Sequence, residues 1–296
     1  MNLSNSIINF RRHLKRRNCS ANTLRSYLND LKQFVVWVDQ PIQQVTHQKI
    51  GDYIDHLLRK KLAPKTINCH LVTIRRFYDF LRDEEELAID NPVRKGRQLR
   101  LSKPLPKHLK DGEVMRFLSV IDNKRDLAIF MLMLRSGLRV SEVANLTLEA
   151  IDWQRKRIYI FNGKGGKDRV VYISNDSYRV LTDYVRSRMA CRVKKIFLVE
   201  RGIHIGKPLS VRGIQKRIEF YAKVSGLKVS CHHLRHTMAT QLLNADAELV
   251  TIQDLLGHDR IKTTQRYCKI SNLKVQKDYF KAMDKVLQRS GRENYL

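Results

Sequence analysis

Between Leu24 and Leu81 apolar residues recur every three or four positions, and that spacing dictates helices. Leu24, Tyr27, Leu28, Leu31, Phe34, Val35 and Val38 fall on one stripe. Ile50, Tyr53, Ile54, Leu57 and Leu58 make a second, after Thr46. Ile67, Leu71, Ile74, Phe77, Tyr78 and Leu81 make a third. Ser20 stands where an N-cap is wanted, because its hydroxyl accepts from an unpaired amide of the first turn. With a leading segment that holds Ile7, Ile8 and Leu14, these stripes predict a bundle of about four helices over residues 1–89. The plain role of such stripes is core.

The pattern breaks at 90–106, D-N-P-V-R-K-G-R-Q-L-R-L-S-K-P-L-P. Three prolines stop helices by removing backbone donors. Arg94, Lys95, Arg97, Arg100 and Lys103 follow with no acid after Asp90. A linker is expected here, either solvated or laid on phosphates as a basic strap. A second region, 107–296, opens with helices at about Lys110–Val120 and from Arg125. R-I-Y-I-F-N and R-V-V-Y-I-S flank the turn G-K-G-G-K-D, which reads as a β-hairpin. The fold class is mainly α with a small β-hairpin or sheet, α+β, in two domains.

Charge narrows the partner. The 296 residues carry 57 Lys+Arg against 29 Asp+Glu, a net charge of +28. So large an excess repels itself unless a polyanion is near, and nucleic acid is the leading polyanion. A membrane surface is the weaker reading. The apolar run Ala128 to Leu134 is far short of the ~18 residues that span a bilayer. The first residues lack a signal-peptide layout. Five cysteines without a C-x-x-C pair disfavour a disulfide framework or a zinc site and fit a reducing, cytoplasmic setting.

Four segments of the second region carry chemistry-bearing residues. S-G-L-R-V-S-E holds Arg139 and Glu142, and the hairpin turn holds Lys164 and Lys167. C-H-H-L-R-H holds His232, Arg235 and His236, and L-G-H-D-R-I-K-T-T-Q-R-Y holds His258 and Tyr267. Each alone is weak: a single arginine is usually solvated, and a single tyrosine after a polar run usually lies on a rim. Together they suit reaction at a phosphodiester. Cations must meet the charge that grows on the non-bridging oxygens. The planar arginine fork binds phosphate through two N–H groups and stays charged. A tyrosine hydroxyl becomes a nucleophile when nearby positive charge lowers its pKa from ~10. A lysine or histidine can protonate the leaving oxygen. No cluster of Asp or Glu with metal-ligand spacing accompanies these residues, which disfavours a metal-dependent nuclease.

The ordered series R…K…H-x-x-R…H…Y resembles the tyrosine recombinase (phage integrase) family, over both regions. The resemblance implies an N-terminal SAM-like helical core-binding domain and a tyrosine recombinase catalytic domain with a C-terminal exchange segment, 268–296. It implies that Tyr267 attacks the phosphorus to leave a 3′-phosphotyrosyl link and a free 5′-hydroxyl, without ATP or metal. Arg139 and Arg235 would hold the phosphate, with His258 on a non-bridging oxygen. Lys164 would be the general acid, with Lys167 the alternative. His232 would help move the tyrosine proton. Glu142 would orient basic groups, and His236 would support the site. Arg94, Lys95, Arg97, Arg100, Lys103 and Lys167 are the expected DNA contacts. The implied partners are double-stranded recombination sites, bound as a homotetramer or as a heterotetramer with a paralogue.

The chain departs from the family pattern at Asn244-Ala245-Asp246, where glycine is common, and at Cys268-Lys269 after the tyrosine. Neither replaces a catalytic group. Tyr279, Met283, Val286 and Leu287 share a stripe in the tail, which either packs on its own domain or docks on a neighbour. The length of that tail favours integration, excision or resolution of a mobile element over Xer-type dimer resolution. Two other classes stay open: an inactive DNA-binding protein of the same fold, and a type IB topoisomerase.

Overall fold

The computed structural model describes residues 3–94, 96–102, 107–161, 168–188 and 193–257. Its contacts divide the chain into two compact units, Met1–Lys103 and Pro104–Leu296. Among the described residues no helix is long and apolar enough to cross a membrane.

The first unit is built on α1 (Leu3–Arg16), α2 (Ala21–Val38), α3 (His47–Arg59) and α4 (Pro64–Asp83). Ser20 caps α2, its hydroxyl accepting from the Thr23 amide at 3.2 Å. Thr46 caps α3 in the same way through the Lys49 amide. The predicted stripes supply the core: Leu31, Phe34, Ile50, Tyr53, Ile67, Leu71, Ile74, Phe77, Tyr78 and Leu81 are buried. Leu58, on the edge of its stripe, is exposed. Part of the proline-rich segment is tied to α4. Val93 is buried, and its carbonyl accepts from Nε and Nη2 of Arg75. Asn68 bonds both the carbonyl and the amide of Leu99, at 2.9 and 2.8 Å. These bonds satisfy backbone groups that the prolines leave without helical partners.

The second unit begins with α5 (Asp111–Ser119), α6 (Lys124–Arg135) and the short α7 (Val140–Asn145). A three-stranded antiparallel sheet follows in the order β1 (Ile151–Asp152), β2 (Arg157–Ile160), β3 (Arg169–Tyr172). Then come α8 (Asn175–Ser187), α9 (Val211–Val224), α10 (Cys231–Asn244) and α11 (Leu249–Leu256). α6 is almost wholly buried and packs on α8 and α10. α10 buries Cys231, Leu234, Arg235, Thr237, Met238, Ala239, Thr240 and Leu243, which leaves it little free surface. A hydrogen-bond relay, in which the Leu109 amide donates to the Thr237 hydroxyl and that hydroxyl donates to the His233 carbonyl, fixes the entry segment of the unit onto that helix. Met238, Ala239 and Leu243 of α10 cluster with Ile252 and Leu256 of α11. This packing sets the end of α11 beside the start of α7.

Candidate active site: three arginines at one helix end

α6 ends at Arg135, and the chain turns through Gly137 at φ +64°. A side chain at Gly137 would meet the Met238 sulfur and a Leu256 methyl at 3.1 Å, so both the backbone and the space call for glycine. Two residues later Arg139 takes the N-cap position of α7, in extended conformation. Glu142 is the third residue of that helix. One carboxylate oxygen accepts from the Arg139 amide at 2.7 Å, and the other from the Arg139 guanidinium at 2.7 Å. A cap of this kind satisfies an open amide and steers the arginine in one step.

A third group completes the arrangement, and the sequence motifs had not singled it out. Arg169 opens β3, paired opposite Ile160, on the face of the sheet that points inward. Its two terminal nitrogens meet the two oxygens of Glu142 at 2.8 and 2.7 Å. The side chains are 9% and 8% exposed, so this fork lies out of bulk water. Burial would raise the Glu142 pKa. The Arg169 fork, the Arg139 amide and the Arg139 guanidinium outweigh it and hold the carboxyl at about 2. Glu142 is therefore an anion at every physiological pH.

The three arginines also share the carboxy-terminal end of α11. Nε of Arg169 donates to the Leu255 carbonyl at 3.0 Å. Nη2 of Arg139 donates to the Leu256 and Gly257 carbonyls at 3.1 and 2.8 Å. Arg235, on α10 and buried, donates to the Leu256 carbonyl and to the Gly137 carbonyl. Helix-terminal carbonyls lack helical donors and carry the negative end of the helix dipole, so they attract cations. Gly257 ends the helix at φ +57°, and a Cβ there would lie 3.0 Å from Cδ of Arg169. Arg139 and Arg169 bond the Glu142 carboxylate, while Arg235 bonds the backbone carbonyls at the same helix end. Arg139 keeps Nε and one Nη1 hydrogen without a partner among the described residues. Such a group suits an oxyanion of a phosphodiester.

The structure thus brings together Arg139, Glu142 and Arg235 of the expected set. His232 and His236 stand one turn apart on α10, ring centres 6.4 Å apart, with His232 exposed and His236 half-buried. Arg94, Arg97 and Arg100 are exposed residues of the first unit. Lys164, Lys167, His258, Tyr267, Lys95, Lys103 and the tail 268–296 lie outside the described residues. What could have drawn attention to Arg169 is its place in K-D-R-V-V-Y: strand alternation puts it on the side of Val171, the core side.

Comparison with known proteins identifies the family. The phage integrase family model matches residues 107–273, and the N-terminal SAM-like domain of phage integrases matches 7–85. A tyrosine recombinase XerC of Thermodesulfovibrio yellowstonii is 34% identical over 273 residues, which cover 88% of this chain and 90% of that one. A tyrosine recombinase XerA of Pyrococcus horikoshii is 30% identical, with 88% of each chain covered. In fold the chain resembles a lambda integrase dimer bound to a core site, with TM-score 0.74, 18% identity, and 90% and 95% coverage. It also resembles the Tn1549 transposon integrase in complex with transposon right-end DNA, with TM-score 0.72, 19% identity, and 88% and 94% coverage. The family match takes in more than half of the sequence, from the start of the second unit to beyond Tyr267, and the chain belongs to the phage integrase family, the site-specific tyrosine recombinases that cut and rejoin DNA.

Proposed function

We propose that this recombinase cuts through Tyr267, with the scissile phosphate held by Arg139 and Arg235. The observation that carries this reading is the convergence of both arginines on the end of α11, directly before His258 in the chain. The Tyr267 oxygen forms a bond to phosphorus while the bond to the 5′-oxygen breaks. Lys164 gives that oxygen its proton, with Lys167 as the other candidate, and His232 takes the proton of the tyrosine. His258 hydrogen-bonds a non-bridging oxygen. Glu142 and Arg169 touch no reacting atom; they hold Arg139 in register, and His236 supports them. A 5′-hydroxyl of the partner strand reverses the step, so the bond energy stays in the phosphotyrosine. Two rounds through a Holliday junction, in a tetramer of identical or paralogous chains, exchange two duplexes. Arg94, Lys95, Arg97, Arg100, Lys103 and Lys167 lie on backbone phosphates.

Integration, excision or resolution of a mobile element is the role we favour. Xer-type dimer resolution is the second reading, supported by the XerC and XerA relatives, which the chain matches over nearly their whole length. A nicked suicide substrate bearing the recombination site tests the chemistry. A covalent 3′-linked complex is expected with the natural chain and none with Tyr267→Phe. A complex that persists in that variant removes Tyr267 as nucleophile. Strand-exchanged product distinguishes recombination from topoisomerase action, which yields only relaxed circles.

A further inference from the structure

The hairpin that carries Arg169 inward has a second face. Ile158, Ile160 and Val171 point into the core and are buried. Alternation puts Arg157, Tyr159, Phe161, Val170 and Tyr172 on the outside. The outer side of an antiparallel sheet is ordinarily polar. Here Phe161 is 65% exposed and Tyr172 57% exposed. The Tyr159 and Phe161 rings lie nearly parallel, 14° apart in tilt with centres 6.4 Å apart. The Arg157 guanidinium sits 5.8 Å from the centre of the Tyr172 ring. It makes no ion pair with a carboxylate among the described residues, and its buried Nε has no hydrogen-bond partner there. The face therefore offers flat aromatic surface beside a guanidinium that makes no ion pair among the described residues, with Asp152 opposite it in the ladder.

We propose that this outer face is a stacking platform for a DNA base that has left the duplex. Flat aromatic rings take any base by its π-face, and an adjacent guanidinium meets the phosphate of the same nucleotide. A paired duplex cannot use the platform, because its base faces are already stacked on one another. Strand exchange unpairs nucleotides next to the cut, and Phe161 precedes Lys164 by three residues in the sequence. Charge decides against a protein partner with an apolar surface. Covering Arg157 with such a surface would desolvate a cation that makes no ion pair among the described residues. The platform rests on the recombinase reading for its use in the reaction, but its ligand chemistry is independent of cleavage.

The test compares the full chain with the double variant Phe161→Ser/Tyr172→Ser, which alters two exposed side chains and leaves the inward residues intact. The probe is a duplex of arbitrary sequence with one extrahelical 2-aminopurine, set against the same duplex fully paired. The natural chain is expected to bind the extrahelical probe roughly tenfold more tightly, in line with base–aromatic stacking, and to quench its fluorescence. The double variant is expected to lose both the preference and the quenching, while its affinity for the paired duplex stays within about twofold. Equal affinity of the natural chain for both probes overturns the platform, as does a preference that survives the double substitution. A change of oligomeric state in the variant, seen by sedimentation, with the preference intact, makes the face a protein interface and also overturns it. Covalent complex formation through Tyr267 is read separately on the suicide substrate. Absence of that complex with the natural chain on its recombination site overturns the recombinase reading and leaves the binding result standing.

Discussion

Replacing Arg169 by glutamine removes the fork that binds both oxygens of Glu142. The size of the effect follows from that carboxylate. Its pKa falls from 4.5 to about 2 on folding, and burial opposes the change. At ~1.4 kcal/mol per pKa unit, the ionised carboxylate adds about 3 kcal/mol to stability at neutral pH. The folded pKa lies below the unfolded one. The contribution is therefore complete above pH 4.5 and is lost as pH falls towards about 2. By the same linkage, about 2 kcal/mol remains at pH 3.5. Arg139 still reaches Glu142 in the variant, so the expected loss at pH 7 is about 2–3 kcal/mol, somewhat below that of a buried carboxylate left with no partner. The measurement is urea unfolding of the full chain in a Trp37→Phe background, where Trp153 becomes the sole tryptophan and reports on the second unit. The gap between Arg169→Gln and its parent should narrow by about 1 kcal/mol between pH 7 and pH 3.5. A gap of the same size at both pH values would refute the electrostatic account. A gap under about 0.5 kcal/mol at pH 7 would show that the fork does not hold the carboxylate.

Gly257→Ala places a Cβ at positive φ and 3.0 Å from Arg169. The displaced end of α11 should slow cleavage by about 10- to 100-fold, with DNA affinity nearly unchanged, in single-turnover assays. Asp126 is fully buried between Arg125 and Arg217, bonded at 2.7 and 2.5 Å. Asp126→Asn should cost about 3–5 kcal/mol in unfolding experiments, yet leave cleavage per folded molecule at the parent level. Replacing Arg94, Arg97 and Arg100 together by glutamine should flatten the log–log salt dependence of DNA binding by about 3, read by fluorescence anisotropy; an unchanged slope would take these residues off the phosphates.

Much of the fold is legible in local sequence. The stripes through Leu31, Ile50 and Ile74 mark helices because burial on one side imposes a period near 3.6. The hairpin shows itself through alternation around a glycine-rich turn. β1 has two residues and α7 has six, too few for a period to register. The expected phosphate-binding residues Arg139 and Arg235 could be named because their motifs are long and ordered. Arg169 was missed because nothing in composition separates it from the other basic residues; only its inward place in the strand alternation marks it.

The sequence by itself therefore determined the helical and hairpin elements, the strongly basic character of the chain and which residues are proposed for phosphodiester chemistry. These are local or additive properties: side-chain period, charge and functional group. Only the tertiary structure decided that Arg139, Arg169 and Arg235 meet at the end of α11 and that Glu142 binds two of them. The groups that gather them are the carbonyls of Gly137, Leu255, Leu256 and Gly257, and a backbone carbonyl is the same in every residue. What distinguishes these carbonyls is that a helix ends there and that the packing of α10 on α11 brings the arginines within reach.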